Sequence, residues 1–347
     1  MVKTKIIATL GPSSNTRTAL RKMFISGLDV ARLNFSHGSH TSHLGKIQLV
    51  RTLNKKMRRA IKIMQDLEGY RIRIGYFKDA KEKVLAKRRI VFLTKEPDTG
   101  DARLIPMDYQ HGLHRIKSGQ LIYIDDGNII LKVKKSSKKS IKAEVIEGCI
   151  LKERKGINIP GFRIPFSGLT PKDRQDVEFG IKHKMDYIAQ SFVRTRKDVD
   201  SVRDLVKSWL PGCLIIAKIE NREAIKNIDE IIDTSDGIMI ARGDMGIAVP
   251  IYEIPIIQKL IIKKCNHKRK FVITATQMLE RMTEHSRPTR AEVTDVANSI
   301  LDGTDFVMLS AETASGRYPI KSVRMMNQII KFTEDYLQKV PKIRSIH

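Results

Sequence analysis

Cysteine is scarce in this chain of 347 residues: Cys149, Cys213 and Cys265 are the only three. They show neither paired metal-ligand spacing nor the density of a disulfide framework, which points to a reducing, cytoplasmic setting. Long apolar runs are missing too. No segment approaches the ~18 consecutive apolar residues of a membrane span, and the apolar run before Gly11-Pro12 is too short for a signal peptide. Acid is in deficit, with 38 Asp and Glu against 64 Lys and Arg and a formal charge of +26. A basic face can bind nucleic acid by releasing counterions. The densest basic cluster, Lys132, Lys134, Lys135, Lys138, Lys139 and Lys142, instead alternates like an exposed hairpin around Ser136-Ser137. It lacks the interleaved aromatics that stack on bases. A solvated face is the better reading, with no membrane partner and no specific nucleic acid expected.

What is present reads as an ordinary globular protein, with 41% apolar and 29% charged residues. Eight strand-like apolar runs recur: 5–10, 29–35, 60–67, 186–192, 214–220, 237–242, 271–277 and 306–310. Helical patterns separate several of them. "LTPKDRQDVEFGIKHK" opens with Thr170 as N-cap, Pro171 at the first helical position and Asp173 three residues after the cap. "REAIKNIDEIIDTSDG" predicts a helix ending near Gly237, and "RAEVTDVANSILDG" one ending at Gly303. Strands alternating with helices predict an α/β fold, a (β/α)8 TIM barrel. Between the third and fourth strands the rhythm breaks into strand patterns, with Asp125-Asp126-Gly127 as a hairpin signal. A small β-barrel lid inserted after strand 3 is expected. The predicted boundaries are 1–74 and 165–347 for the barrel and 75–164 for the lid.

Barrels of this kind place their sites at the C-terminal strand ends. Those ends are polar here: Arg32, Asn34, Ser36 and His37; Asp66; Ser191 and Arg194; Lys218 and Glu220; Arg242 and Asp244; Thr276 and Gln277; Ser310 and Glu312. Glu220 and Asp244 suit a hard divalent cation, which takes one or two carboxylates and leaves positions for substrate and water. Lys218 beside a metal requires an anion between them, such as a phosphate or an enolate. The competing reading is a plain Lys218–Glu220 ion pair, but buried pairs stabilise poorly once desolvation is counted. Backbone amides at Gly243 and Asp244 open a helix and offer an anion site.

The motifs "KTKIIATLGPSS", "VARLNFSHG", "DLEGYRIRIG", "IYIDDG", "KGINIPG", "IAQSFVR", "AKIEN", "SDGIMIARGDMG", "ATQMLERM", "RPTRAEVTDVANSILDG" and "VMLSAETASGRYP" run in order through the chain. Together they closely resemble the pyruvate kinase family. The resemblance implies Mg2+- or Mn2+-dependent phosphoryl transfer between phosphoenolpyruvate and ADP, giving pyruvate and ATP as the last step of glycolysis. It implies that Lys218 stabilises the moving phosphoryl group and that Arg32 contacts it. Glu220 and Asp244 would hold the metal, the Gly243 and Asp244 amides the substrate carboxylate, and Thr276 would border the methylene that is protonated. Asn34, His37, Arg73 and Lys155 would face the nucleotide phosphates. Asn34, Ser36, Asp66 and the Leu67 backbone match a monovalent-cation site, usually filled by K+.

The sequence departs from the family pattern in two places. "EGYRIR" stands where the family has "KGPEIR" or "QGPKIR", so Arg71 occupies a position where Glu accompanies K+ dependence and Lys accompanies independence. Weak or no K+ activation is expected, unless Glu68 pairs with Arg71. The chain also ends at "QKVPKIRSIH", so the family's C-terminal allosteric domain is expected to be absent. The helix face that meets that domain would be exposed, repacked, or covered by a homo-oligomer or a separate partner chain. Two other functions compete with the kinase. One is a metal-dependent lyase acting on a pyruvate enolate, which would not need the nucleotide-facing residues. The other is a non-catalytic basic binding protein.

Overall fold

The structure, a computed structural model, describes residues 3–78, 82–109, 112–125, 127–162 and 168–339. Contacts divide the chain into two compact units. The first comprises Met1–Gly69, Ser167–Arg242 and Ile254–His347, and the second Tyr70–Phe166 and Gly243–Glu253. The predicted barrel–lid junction at 164/165 lies outside the described residues, as does Asp126 of the hairpin signal.

In chain order the first unit opens with β1 (Lys5–Thr9), α1 (Arg17–Ser26), β2 (Val30–Asn34), α2 (His40–Met57) and β3 (Lys62–Asp66). The second unit supplies β4 (Lys83–Val84), β5 (Ile90–Thr94), β6 (Leu104–Pro106), β7 (Leu121–Ile124), β8 (Ile129–Ser136), β9 (Ser140–Glu147), β10 (Ile150–Leu151) and β11 (Ile157–Asn158). The chain continues with α3 (Pro171–Lys182), β12 (Tyr187–Gln190), α4 (Arg196–Lys207), β13 (Leu214–Ile219), α5 (Arg222–Lys226), α6 (Ile228–Thr234) and β14 (Gly237–Ala241). It ends with α7 (Arg242–Ala248), α8 (Ile254–His267), β15 (Phe271–Ala275), α9 (Arg290–Leu301), β16 (Phe306–Leu309), α10 (Ala311–Ala314) and α11 (Pro319–Lys339).

The eight predicted strands form one closed parallel barrel in the order β1-β16-β15-β14-β13-β12-β3-β2. β3 pairs directly with β12, Met64 opposite Tyr187 and Asp66 opposite Ala189, across the whole intervening segment. Alternation sorts the side chains. Ile7, Val30, Met64, Ala189, Ile216, Met239, Ile273 and Met308 fill the interior, with Phe271 and Phe306 toward the opposite end. Two residues further along β1, β2, β3 and β13, the same inward face carries Thr9, Arg32, Asp66 and Lys218.

The cap expected at Thr170 is present, and a second one, not named from the sequence, stands on α9. Thr170 accepts from the Asp173 amide, with Pro171 in the first turn. Thr289 and Glu292 form a capping box on α9. The helix expected over 222–237 is two, broken at Asn227, whose side chain donates to the Arg194 carbonyl at 2.9 Å. On α11, Phe332, Tyr336 and Leu337 lie exposed. Among the described residues no helix is long and apolar enough to cross a membrane.

The second unit is a curled six-stranded sheet, order β11-β7-β8-β9-β5-β6, with β4 and β10 paired separately. Its core packs Leu93, Ile105, Ile122, Leu131, Ile141 and Val145. β7 and β8 meet at a tight connection, where Asp125 and Gly127 both adopt positive φ. The lysines of the β8–β9 hairpin all face solvent.

Candidate active site

The C-terminal mouth of the barrel gathers charges that no ordinary core would hold. Arg32, Asp66, Lys218 and Glu220 are all at most 9% exposed. The Arg32 Nε donates to Asp66 Oδ2 at 2.7 Å, and its Nη1 donates to the Thr9 hydroxyl at 2.8 Å. The Lys218 ammonium lies 2.9 Å from Glu220 Oε1 and 3.1 Å from Asp66 Oδ1, and donates to Ser191 Oγ at 2.6 Å. Glu220 Oε2 accepts from the Phe192 amide at 2.7 Å.

Electrostatics fix the protonation states. Burial alone would raise the Asp66 carboxyl, but the Arg32 guanidinium and the Lys218 ammonium outweigh it and hold the group below the usual carboxylate range. Burial likewise works against a charged Lys218, and Asp66 and Glu220 reverse that, pushing its pKa up. Lys218 is therefore a permanent cation at neutral pH. It can neutralise an anion but cannot serve as a base.

Thr276 follows β15 with φ 74°, and Gln277 with φ 55°. A β-branched residue in this region is strained. Arg242 compensates: its Nη2 donates to the Thr276 carbonyl at 2.7 Å while its Nη1 is paired with Asp295. Behind this turn the buried Glu312 accepts from the Leu279 and Ser310 amides. At the end of β2, the Asn34 side chain accepts from the Ser36 amide at 3.1 Å, and the exposed His37 offers its carbonyl to His43 Nε2 at 2.9 Å. The Leu67 carbonyl accepts from Ser191 Oγ at 2.7 Å. Glu68 lies 3.4 Å from Lys172 Nζ.

The other predicted residues belong to the second unit. Arg73 bridges to Gly156, and its Nη1 donates to the Arg154 carbonyl at 3.1 Å. Beside it, Lys155 pairs with Asp125 at 2.7 Å. Arg71 pairs with Asp244 at 3.2 Å, its guanidinium close against Gly156, where a Cβ would come within 2.2 Å of Nε. The structure thus joins Arg32, Asp66, Lys218 and Glu220 in one cluster, and Arg71 with Asp244 in another. Thr9 and Ser191 complete the first cluster. Ser191 stands among the polar strand ends read from the sequence, without a role assigned to it; the Thr9 hydroxyl was not singled out, although it falls at the end of a strand on the inward alternation.

The family model described as pyruvate kinase, barrel domain, matches residues 1–323. The chain belongs to the pyruvate kinase family. A pyruvate kinase from Thermococcus litoralis is 44% identical over 97% of this chain and 71% of its own length. One from Clostridium perfringens is 45% identical over 96% and 71%. One from Staphylococcus aureus is 42% identical over 95% of this chain, which spans 56% of that relative. The enzyme class that goes with pyruvate kinase membership is phosphotransferase, and the family's substrates are phosphoenolpyruvate and ADP.

A divalent metal is implied by the pyruvate kinase family, and the donors fit one. Among the described residues no group of three or more His, Cys, Asp or Glu is arranged around a metal position. The buried Glu220 carboxylate at the barrel mouth nevertheless supplies hard oxygen donors. Mg2+ binds in this sparing way, through one or two carboxylates, with substrate and water completing its shell.

Proposed function

We propose that this chain moves the phosphoryl group of phosphoenolpyruvate onto ADP, with Lys218 meeting the group in transfer. The observation that carries this reading is the Lys218 ammonium itself: buried at the barrel mouth, permanently charged, and set between two carboxylates beside the Arg32 guanidinium. Phosphoryl transfer requires positioning and charge neutralisation more than covalent help. A fixed cation in a water-poor site supplies both.

Arg32 would contact the same phosphoryl group, its direction set by Asp66 and Thr9. Glu220 and Asp244 would hold Mg2+ or Mn2+, which when bound neutralises charge on the enolate. The Gly243 and Asp244 amides would accept the substrate carboxylate. Thr276 would stand beside the methylene carbon that gains a proton. Asn34, His37, Arg73 and Lys155 would face the nucleotide phosphates, with 75–164 acting as a lid on a barrel of 1–74 and 165–347. Cytoplasmic placement accords with this chemistry. K+ at Asn34, Ser36, Asp66 and the Leu67 carbonyl would add little, because Arg71 stands at the position where a fixed cation accompanies independence of the ion.

A coupled assay of pyruvate formation with phosphoenolpyruvate, ADP and Mg2+ tests the proposal. Turnover that requires ADP supports it. Pyruvate released without ADP would mean that water, not ADP, takes the phosphoryl group. A folded protein with no turnover would refute the kinase reading and leave the lyase, whose C–C cleavage needs another substrate.

A further inference from the structure

We propose that Ser191 is a positioning residue for phosphoryl transfer, the group that sets the direction of the Lys218 ammonium. The inference rests on the phosphotransferase reading above. Lys218 carries three protons and has three acceptors: Ser191 Oγ at 2.6 Å, Glu220 Oε1 at 2.9 Å and Asp66 Oδ1 at 3.1 Å. The two carboxylates hold the ammonium's charge but fix only two of its three N–H directions. Ser191 takes the third.

The hydroxyl can do this because its own proton is committed elsewhere. Ser191 Oγ lies 2.7 Å from the Leu67 carbonyl and 3.4 Å from Asp66 Oδ1, so the single O–H goes to Leu67 and the lone pairs face Lys218. Ser191 is 7% exposed, so its hydroxyl is largely shielded from solvent. The backbone on either side is shaped for the task. Phe192 is bulky yet sits at φ 55°, a conformation that costs energy, and its amide thereby reaches Glu220 Oε2. Adjacent residues thus hold the ammonium and the carboxylate. Gly69, at φ 70°, makes room: a Cβ there would lie 2.9 Å from the Ser191 Cβ. Strain and close approach together in a buried turn indicate a constraint other than stability.

The test compares purified wild type with Ser191→Ala, Ser191→Cys and Ser191→Thr in the pyruvate-formation assay, with thermal melts of each. A misplacement of about 1 Å at a reacting centre costs on the order of 100-fold. The expected result is a 10- to 100-fold fall in kcat for Ser191→Ala and Ser191→Cys, with KM for phosphoenolpyruvate within about twofold and the Tm within a few degrees of wild type. Ser191→Thr keeps the hydroxyl and is expected to recover most of kcat. An Ala variant with wild-type kcat, or a loss confined to KM or Tm, overturns the proposal. So does a Cys variant as active as Thr, since a thiol fills the volume but accepts weakly. Absence of turnover in the wild type would refute the phosphotransferase reading instead, and the two failures are distinguishable.

Discussion

Replacing Lys218 with Met is the sharpest perturbation of the barrel mouth. The ammonium lies 2.9 Å from one carboxylate and 3.1 Å from another. At an effective dielectric of about 20, each contact is worth roughly 6 kcal/mol of attraction before desolvation is subtracted. Asp66 retains Arg32 at 2.7 Å when Lys218 is removed, so its charge stays compensated. Glu220 retains the Phe192 amide and loses its ammonium. Breaking a buried pair from one side costs about 3–5 kcal/mol, and the apolar Met side chain returns about 1–2 kcal/mol through burial. A net loss of about 1–4 kcal/mol follows, which at about 1.4 °C per kcal/mol for a chain of 347 residues lowers the Tm by roughly 1–6 °C. Activity should fall far more. Removing one preorganised charge donor costs about 100- to 1000-fold, and a cation on a transferring phosphoryl group more still. Steady-state kinetics, a thermal melt and a Mn2+ titration by electron paramagnetic resonance read the three quantities. We expect kcat lower by at least 1000-fold, the stated Tm loss, and Mn2+ affinity unchanged or increased once the neighbouring positive charge is gone. A variant that keeps a tenth of wild-type kcat, or that loses only its metal affinity, would show that Lys218 has been given the wrong role.

Thr276→Gly should separate stability from activity: relief of the positive φ offsets the entropy of glycine, leaving stability level or raised by up to about 1 kcal/mol, while kcat drops at least tenfold. A melt that falls by several degrees would mean the Thr276 backbone is not strained. Burial, reinforced by Lys46, lowers the His43 pKa to about 4, below its ordinary 6.5. The unfolded chain therefore binds that proton first, and the His43 contribution, about 2 kcal/mol after allowing for screening, is present above pH 6.5 and lost as pH falls toward 4. Urea melts of wild type and His43→Gln at pH 7.5 and 4.5 should converge at the lower pH; parallel loss in both would exclude His43 as the source. Finally, K+ should stimulate pyruvate formation less than about twofold over tetramethylammonium, and a tenfold stimulation would contradict the reading of Arg71 as a fixed cation that replaces the ion.

The barrel was legible because each of its strands is a short apolar run closed by a polar residue, and because Lys218 and Glu220 share a strand face by simple alternation. The helix break at Asn227 was not legible. The apolar residues of α5 and α6 keep one phase, and only the tertiary bond from Asn227 to the Arg194 carbonyl interrupts them. The left-handed turn at Thr276 runs against the preference of its own residue type, so local propensity argues for something else. Thr9 was not legible, and Ser191 was legible only as a polar strand end without a role, for a different reason. Hydroxyls at strand ends are common, and what distinguishes these two is the partner that ring closure brings across from β13 and β2.

Those two hydroxyls terminate a continuous chain of donors across the barrel mouth. Thr9 donates to the Leu309 carbonyl at 3.0 Å and accepts from Arg32, while Ser191 donates to the Leu67 carbonyl and accepts from Lys218. Arg32 and Lys218 meet at Asp66 in the middle. Each cation is thus held between a charged acceptor, which keeps it ionised, and a neutral one referred to the backbone, which fixes where it points. Charge alone would not do this, because two cations sharing one carboxylate repel and would settle wherever solvent allowed. The backbone carbonyls at both ends belong to the barrel frame, so the separation of the two cations is inherited from strand register and does not depend on a bound anion. An incoming phosphoryl group would then meet cations already in place, and the reorganisation that water would need has been completed by folding.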